Sequence, residues 1–337
     1  MHYYFLLIIL LLTGCQTGYY QGSPSDHFDG TRFYNPEKYK NTSIADNFKQ
    51  GKTIVLKSWR QHIILPELAY NPLEKHPQKT TITFVNHATV LIQTKTINIL
   101  TDPIWSYRAS PFTWIGPARV RKPGIEFSQL PPIDVVLISH NHYDHMDLAT
   151  LKRLNDAFHP LIIVPLGNKV YLANYKLNNV VELDWWQHYK VKNAVITFFP
   201  ARHWSARWFT DVNRTLWGSY GIALDHKKIY FAGDTGYANH FKDIYAKWGA
   251  PDIAFMPIGA YLPRFMLKDV HMDPQEAIKA SQDLHSHYSM GIHFGTFELG
   301  DEDLDDPPKE LAEDEEDDHI PDGKFFVLNQ GHSWFVK

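Results

Sequence analysis

The sequence contains a single cysteine, Cys15, among its 337 residues. An internal disulfide is therefore excluded, and stability must come from a packed core or from bound ligands. With 44% hydrophobic and 14% aromatic residues, the chain has ample apolar material for such a core. Its formal net charge is −4, so the strongly basic composition of many nucleic-acid-binding domains is absent. We expect no nucleic-acid partner.

The small net charge conceals an uneven distribution. Residues 301–318 hold twelve acidic residues and one lysine, Lys309. We expect this stretch to be a solvated loop with a helical portion at residues 309–316. The rest of the chain has thirty-two basic and twenty-five acidic residues. This mildly basic body is compatible with an anionic lipid surface or a phosphate-bearing substrate, and also with ordinary surface charge.

Hydrophobic runs long enough to cross a bilayer are also missing. The apolar run at residues 3–12 has signal-peptide length. It ends in Leu12-Thr13-Gly14-Cys15, which resembles the lipobox of bacterial lipoproteins, although no Lys or Arg precedes it. The resemblance implies cleavage before Cys15 and lipidation of its thiol, which would anchor the protein to a membrane. An apolar helix or an ordinary signal peptide remains the alternative.

The lipobox implies a bacterial cell envelope as the location. Gln16 follows the cysteine in place of the aspartate associated with inner-membrane retention. We therefore expect a lipid-anchored protein of the outer membrane that faces the periplasm.

Three segments divide the chain. Residues 1–15 are the expected signal peptide and lipobox, residues 16–78 a tether or extended arm with a covering segment, and residues 79–337 one hydrolase domain. Short β signals at residues 80–85, 90–94 and 97–101 predict a meander. Later strands alternate with predicted helices, among them residues 148–155 and 239–248, which predicts an α+β fold with two sheets and helices outside them. Asp273-Pro274-Gln275-Glu276 predicts a helix start, with Asp273 as the N-cap.

One stretch, residues 139–147, concentrates metal-binding side chains. It follows an apolar, β-branched run at residues 135–138 that predicts a buried strand. Imidazole and carboxylate together suit Zn²⁺, and the stretch has too many such groups for one tetrahedral site. We therefore expect two metals, with a polar loop of hydrogen-bonded histidines as the alternative. The candidate ligands are His140, His142, Asp144 and His145.

Further candidates follow other predicted strands. His203 comes after residues 195–200, Asp234 after residues 229–232, His293 lies near the end of residues 290–294, and Asp102 follows residues 97–101. Strand ends aim side chains well, because the sheet fixes their direction. A histidine can also stand at a strand end by chance. Each assignment as a ligand is therefore supported only by the presence of the other candidates.

In this order the candidates resemble the five motifs of the metallo-β-lactamase superfamily. Longer matching stretches, at residues 100–104, 139–147, 231–237 and 271–274, resemble the phospholipases D that hydrolyse N-acylphosphatidylethanolamine. The resemblance extends roughly from Thr80 to the C-terminus. It implies an αββα sandwich of two mixed sheets flanked by helices.

The resemblance also implies a dinuclear zinc site. One zinc would bind His140, His142 and His203, the other would bind Asp144, His145 and His293, and Asp234 would bridge them. Around these ligands, Asp102 would orient a ligand histidine, and His87 would lie nearby, after Asn86 where the family commonly has glycine. As catalytic residues, Asp144 would relay a proton and His271 would lie near the substrate phosphate. Val270 stands where the phospholipases have a polar residue, so the substrate pocket differs in detail.

These features predict a membrane phosphodiesterase of phospholipase D type that acts on N-acylphosphatidylethanolamine-like lipids through a metal-bridging hydroxide. Asp234 favours this, because zinc β-lactamases usually have Cys or Ser there. We expect the aromatic segments at residues 105–114 and 204–209 either to line an acyl groove or to pack in the core. The alternatives are a lactonase or other hydrolase, and a non-catalytic lipid-binding lipoprotein stabilised by metal. Iron or manganese also suits these ligands, and the oligomeric state is not predicted.

Overall fold

The computed structural model describes residues 19–37, 74–75 and 77–336. Cys15, the apolar N-terminal run and most of the expected covering segment lie outside these residues, so the lipid anchor stays a prediction. Every helix in the described part is too short or too polar to span a bilayer.

Two seven-stranded sheets make up the described domain. The first has the order β14-β1-β2-β3-β4-β5-β6 and the second the order β13-β12-β11-β10-β9-β8-β7. The strands of the first sheet are β1 (Thr81–Asn86), β2 (Thr89–Gln93), β3 (Asn98–Thr101), β4 (Val135–Leu137), β5 (Leu161–Pro165), β6 (Val180–Leu183) and β14 (Ser333–Phe335). Those of the second are β7 (His188–Val191), β8 (Ala194–Phe199), β9 (Ser219–Leu224), β10 (Lys227–Phe231), β11 (Ile253–Pro257), β12 (Tyr288–Ile292) and β13 (Phe325–Phe326).

Each sheet combines antiparallel and parallel pairs. In the first sheet β1, β2 and β3 are antiparallel, whereas β3, β4, β5 and β6 run parallel. In the second sheet β7, β8, β9 and β10 are antiparallel, whereas β10, β11, β12 and β13 run parallel. The expectation of two mixed sheets with helices outside them is confirmed.

Six α-helices accompany the strands in the described part. They are α1 (Leu148–Phe158), α2 (Lys169–Ala173), α3 (His240–Trp248), α4 (Arg264–Leu267), α5 (Pro274–Asp283) and α6 (Asp306–Asp317), and a short 3₁₀ helix spans Phe127–Gln129. The sequence predicted α1, α3, α5 and part of α6. It missed α2, α4 and β7, because the two helices are barely one turn long and β7 is polar and exposed.

Aspartates start two of the predicted helices. Asp147 accepts hydrogen bonds from the Ala149 backbone N–H and the Thr150 hydroxyl, so α1 begins directly after the ligand-bearing stretch. Asp273 accepts from the Glu276 N–H at 2.8 Å, with proline at the first helical position. The predicted helix start at Asp273 is confirmed.

The main core lies between the two sheets, and a second one lies under α1. Val135 and Leu137 face the main core, while Val136 packs with Leu151 and Leu154 of α1. β4 is therefore buried on both faces, which explains its continuous apolar sequence. Across the main core, the hydroxyl of Tyr220 on β9 donates to the carbonyl oxygens of Ile138 and Ile163.

The acidic stretch is only partly solvated. Its helical portion is longer than expected, because α6 spans Asp306–Asp317. Leu311 of this helix packs into the main core. Glu302 is 2% exposed, and its carboxylate accepts hydrogen bonds from the N–H groups of Ala260 and Leu262. The expectation of a solvated loop is therefore wrong at Glu302, which holds a turn together from inside.

Residues 19–37, here called the N-terminal arm, pack on the domain. Phe28 and Phe33 are each 1% exposed and belong to the main core. The His27 ring stacks on Trp185 at 4.3 Å, and its Nε2 lies 2.7 Å from Asp184 Oδ1. At the far end, the Asn35 amide donates to the backbone oxygen of His203 at 2.8 Å. The N-terminal arm thus contacts the backbone of His203, a predicted ligand.

The N-terminal arm should be held more strongly at acidic pH. Burial opposes the charged form of His27, but Asp184 and Asp26 raise its pKa above the ordinary value. The stabilisation that charged His27 gives to the folded state is therefore complete below about pH 6.5. It is lost as the pH rises through the raised folded-state pKa of His27. We expect His27→Gln to lower the free energy of unfolding by about 1 kcal/mol more at pH 6 than at pH 9.

Urea unfolding of variant and wild type at both pH values measures this difference. The control is His188→Gln on exposed β7, for which we expect only a small effect on the free energy of unfolding. An equal cost of His27→Gln at both pH values would contradict the charge-assisted role.

Candidate metal centre

The predicted site residues converge where strands of both sheets end. They form overlapping groups whose ligand atoms lie within 4.8 Å of one another. The groups are His140, His142 and His203; His87, Asp144, His145 and His293; Asp102, His140 and His145; and His203, Asp234 and His271. All of the predicted metal ligands and their predicted neighbours are therefore brought together, although they are spread over more than two hundred residues of sequence.

Three imidazoles face one point in the first group. His142 Nδ1 lies 2.8 Å from His140 Nε2 and 3.3 Å from His203 Nε2. Burial lowers the pKa of all three, to about 4 for His142 and about 3 for His203. The rings are therefore neutral, and their lone pairs are available to one cation.

The second group surrounds a carboxylate. Asp144 Oδ2 lies 3.0 Å from His87 Nε2, 3.1 Å from His145 Nε2 and 3.4 Å from His293 Nε2. His87 thus contacts the same oxygen as two predicted ligands. His87 therefore lies among the candidate ligands themselves, closer to the centre than a residue that only orients a ligand.

Asp234 joins the two groups. Its Oδ2 lies 3.0 Å from His145 Nε2 and 3.1 Å from His293 Nε2. On the other side, the same oxygen lies 3.8 Å from His140 Nε2 and 3.9 Å from His203 Nε2. The carboxylate is thus central to four imidazoles, as the bridging assignment requires.

Buried charge decides the protonation of the second group. Burial disfavours the ionised carboxylates, yet His145 and His293 hold the pKa values of Asp144 and Asp234 well below their usual range. Burial likewise disfavours charged imidazoles, yet the carboxylates raise the pKa of His293 to about 9 and that of His145 well above its ordinary value. The carboxylates therefore require positive charge beside them, which a divalent cation can supply.

Several buried atoms in this cluster have no hydrogen-bond partner in the protein. Among them are His145 Nε2, His293 Nε2 and Asp234 Oδ1. Buried polar atoms are normally paired, so several unpaired ones at one place need an explanation. Coordination of metal by this set of imidazoles and carboxylates provides it, because zinc, iron and manganese all accept such ligands. The residues present therefore fit a metal centre.

Hydrogen bonds from behind fix three of the rings. Asp102 Oδ2 lies 2.6 Å from His145 Nδ1, so the orienting role predicted for Asp102 has the required geometry. The Ser139 hydroxyl donates to Asp102 and lies 2.9 Å from His140 Nδ1. The Val270 carbonyl lies 2.9 Å from His203 Nδ1. Each contact directs the other ring nitrogen, Nε2, into the centre.

The backbone at these strand ends is unusual. His87, Asp102 and His293 have φ angles of 47°, 31° and 62°, in the left-handed region that disfavours a Cβ atom. Gly233, just before Asp234, has φ 60°, and a Cβ there would lie 2.5 Å from the Ser139 Cβ. Strained backbone of this kind clusters at functional sites, where the surrounding structure enforces it.

His271 lies at the edge of the centre. Its ring centroid is 5.2 Å from that of His203 and 5.4 Å from that of His293, and its Nδ1 has no hydrogen-bond partner. This position is compatible with contact to a bound substrate, and that role stays a prediction.

Sequence reasoning missed three supporting groups: Ser139, the Val270 carbonyl and Asn35. Ser139 carried a signal, because it lies between the buried strand and the first histidine. Val270 acts through its carbonyl oxygen, which every residue has, so its side chain gave no indication. Asn35 lies far away in the sequence, within the N-terminal arm.

Comparison with known proteins agrees with this geometry. The family described as "Beta-lactamase superfamily domain" matches residues 97–294. An N-acyl-phosphatidylethanolamine-hydrolyzing phospholipase D from Caenorhabditis elegans is 36% identical over 268 residues, which cover 75% of this chain and 74% of that protein.

Two solved structures share the fold. One is Igni18, a metallo hydrolase from Ignicoccus hospitalis, with TM-score 0.58 and 19% identity over 77% of this chain and 99% of its own. The other is CmlA, a diiron β-hydroxylase from Streptomyces venezuelae, with TM-score 0.58 and 21% identity over 77% of this chain and 55% of its own. At such identities they support the architecture alone.

Substitution of His293 separates its role as a ligand from its backbone strain. A left-handed φ costs a residue with a Cβ about 1 kcal/mol, so His293→Gly should be more stable than His293→Ala by about that amount. Both variants lose the same ligand, so we expect both to retain less metal after dialysis.

Denaturant unfolding measures the difference in stability, and elemental analysis measures the metal. The control pair is Tyr189→Gly and Tyr189→Ala on β7, where glycine should be the less stable by about 0.5–1 kcal/mol. If glycine were also the less stable at position 293, the strain there would be refuted.

Proposed function

Because the chain belongs to the metallo-β-lactamase superfamily of metal-dependent hydrolases, we propose that it is a zinc-dependent phosphodiesterase of phospholipase D type. Its substrates are N-acylphosphatidylethanolamine-like glycerophospholipids. The observation that carries the proposal is the 36% identity, over three-quarters of the chain, to an enzyme named for this reaction. The central position of Asp234 supports it, because both metal groups share this carboxylate.

Two sets of residues would hold the metals. His140, His142 and His203 would bind one ion, and Asp144, His145 and His293 the other, with Asp234 shared between them. Bound there, the ions would lower the pKa of a coordinated water and neutralise charge on phosphate oxygens. Zinc suits the predominance of imidazole.

The chain's own residues provide orientation and access. Asp102 holds His145 by its Nδ1, and the Val270 carbonyl holds His203 in the same way. Among the three aspartates of the centre, the Asp144 side chain is 12% exposed, whereas those of Asp234 and Asp102 are 2% and 0% exposed. Water and substrate therefore approach from the Asp144 side, where this carboxylate is placed to receive a proton.

His271 completes the opening. Its unpaired Nδ1 provides a polar contact for the phosphate, and the Arg264 guanidinium donates to the His271 carbonyl at 3.0 Å, which fixes the segment. The lipid anchor at Cys15 and a periplasm-facing outer-membrane location belong to the same proposal, because they would place the centre beside its lipid substrates.

The test uses the purified full chain in detergent with zinc and N-acylphosphatidylethanolamine. We expect phosphatidic acid and N-acylethanolamine as products, detected by mass spectrometry. His142→Ala should lower turnover at least about a hundredfold, because it removes a ligand of the first group. The matched control, His188→Ala on exposed β7, should retain activity and metal.

Other substrates decide between the alternatives. A zinc-loaded protein that hydrolyses lactones and leaves every phosphodiester intact would be a lactonase. If the loaded protein hydrolysed neither class and still bound lipid after His142→Ala, the non-catalytic lipoprotein would be the correct account.

A further inference from the structure

Large apolar side chains are exposed in three segments beside the metal centre. Of the twelve exposed large apolar residues in the described part, eight lie within residues 107–115, 170–175 and 207–209. Phe209 is 86% exposed and Trp114 is 72% exposed. Because soluble domains rarely concentrate such side chains on one surface without a partner, this clustering needs an occupant. We call the three segments the docking surface.

The three segments meet around one groove of about 400 Å³. It is lined by Tyr107 and Phe112 from the first segment, Tyr171 and Tyr175 from the second, and Arg207 from the third. Tyr143, which belongs to the ligand-bearing stretch, also lines it. The groove therefore adjoins the ligand-bearing stretch.

Arg207 connects the docking surface to the metal ligands. It is 8% exposed, and its Nη1 donates to the carbonyl oxygens of Asn141 and Met146 at 2.9 Å each. Its guanidinium also lies 3.9 Å from the centre of the Tyr143 ring. The neighbouring Trp208 and Phe209 are thereby fixed relative to the ligand-bearing stretch, although their own rings are exposed.

The charge of the same region is positive. Residues 105–124, 168–178 and 204–214 together contain eight Lys or Arg and one acidic residue, Asp211. Arg119 and Arg207 are buried and Arg121 pairs with Asp305. The partly or fully exposed basic side chains that remain are Arg108, Lys122, Lys169, Lys176 and Arg214. The Asp211 carboxylate accepts hydrogen bonds from the N–H groups of Arg207 and Trp208, so it is used within its own loop. Aromatic side chains among basic residues match the interface of an anionic lipid bilayer.

We propose that the docking surface inserts its exposed aromatic side chains into the interface of an anionic bilayer and holds the opening of the metal centre against the membrane. This inference deepens the proposed lipid hydrolysis and rests on it, because a water-soluble substrate would not require such contact. The charge complementarity favours a bilayer over a protein partner.

The first experiment locates the surface that meets lipid. The full chain with Cys15→Ser is labelled at Phe209→Cys with a solvent-sensitive fluorophore and mixed with vesicles of phosphatidylcholine, with or without phosphatidylglycerol. We expect a blue shift and quenching by brominated acyl chains, both stronger with phosphatidylglycerol. The matched control carries the label at Tyr189→Cys on exposed β7 and should stay aqueous.

A label at position 209 that stays aqueous overturns the proposal, whether the chain binds the vesicles by another segment or does not bind them. Equal blue shifts at positions 209 and 189 overturn it as well, because they would show that the surface is not selective.

The second experiment measures turnover by the zinc-loaded full chain. Trp208→Ala combined with Phe209→Ala should lower hydrolysis of vesicle-embedded N-acylphosphatidylethanolamine at least about tenfold, since two large aromatic contacts are lost. Hydrolysis of a short-chain, monomeric analogue should fall much less. The matched control, Tyr189→Ala with Phe335→Ala, removes two exposed aromatic side chains from edge strands.

The two experiments distinguish failure of the proposed function from failure of the docking proposal. If the wild type cleaves neither substrate, the proposed function is wrong, and the label at position 209 still decides the docking. If the double variant loses turnover equally on both substrates, its effect lies in the centre and the docking proposal is wrong.

Discussion

The contact of one buried carboxylate with four imidazole nitrogens is the condition on which the rest of the structure depends. Asp234 Oδ2 lies between 3.0 and 3.9 Å from nitrogens of His145, His293, His140 and His203. A buried anion requires compensation, and this one is shared by both ligand groups. The surrounding hydrogen bonds, the left-handed strand ends and the tightly packed Gly233 all keep these atoms at one point.

This arrangement ties the chemistry to the whole fold. Its ligands follow strands of both sheets, so the centre forms only when the sheets pack on each other. The Tyr220 hydroxyl links the sheets across the core, and the N-terminal arm supports His203 through Asn35. On the outer side, Arg207 joins the same ligand-bearing stretch to the docking surface. Metal binding and folding should therefore stabilise each other.

Much of the fold and of the centre could be predicted from the sequence, for physical reasons. The apolar run before His140 indicated a strand buried on both faces, and Asp273 with Pro274 indicated a helix start. Ligand types at strand ends indicated a metal site, and the family resemblance implied how the ligands divide into two groups. The rest could not be predicted, because its determinants are tertiary: a backbone carbonyl at Val270, a buried carboxylate at Glu302 amid an acidic run, and packing of the arm. Which exposed aromatic residues lie near one another could also be seen only in the folded structure.

The central claim is that Asp234 is shared by the two groups of candidate metal ligands and so joins them into one centre. Elemental analysis of purified protein after dialysis, for wild type and Asp234→Asn, tests it most directly, with Asp252→Asn as a control in a surface ion pair with Lys227. The account predicts two metal ions per wild-type and control chain and a marked loss from Asp234→Asn, because the shared anionic ligand is gone. Full metal content in Asp234→Asn, or one ion or none in the wild type, would contradict it.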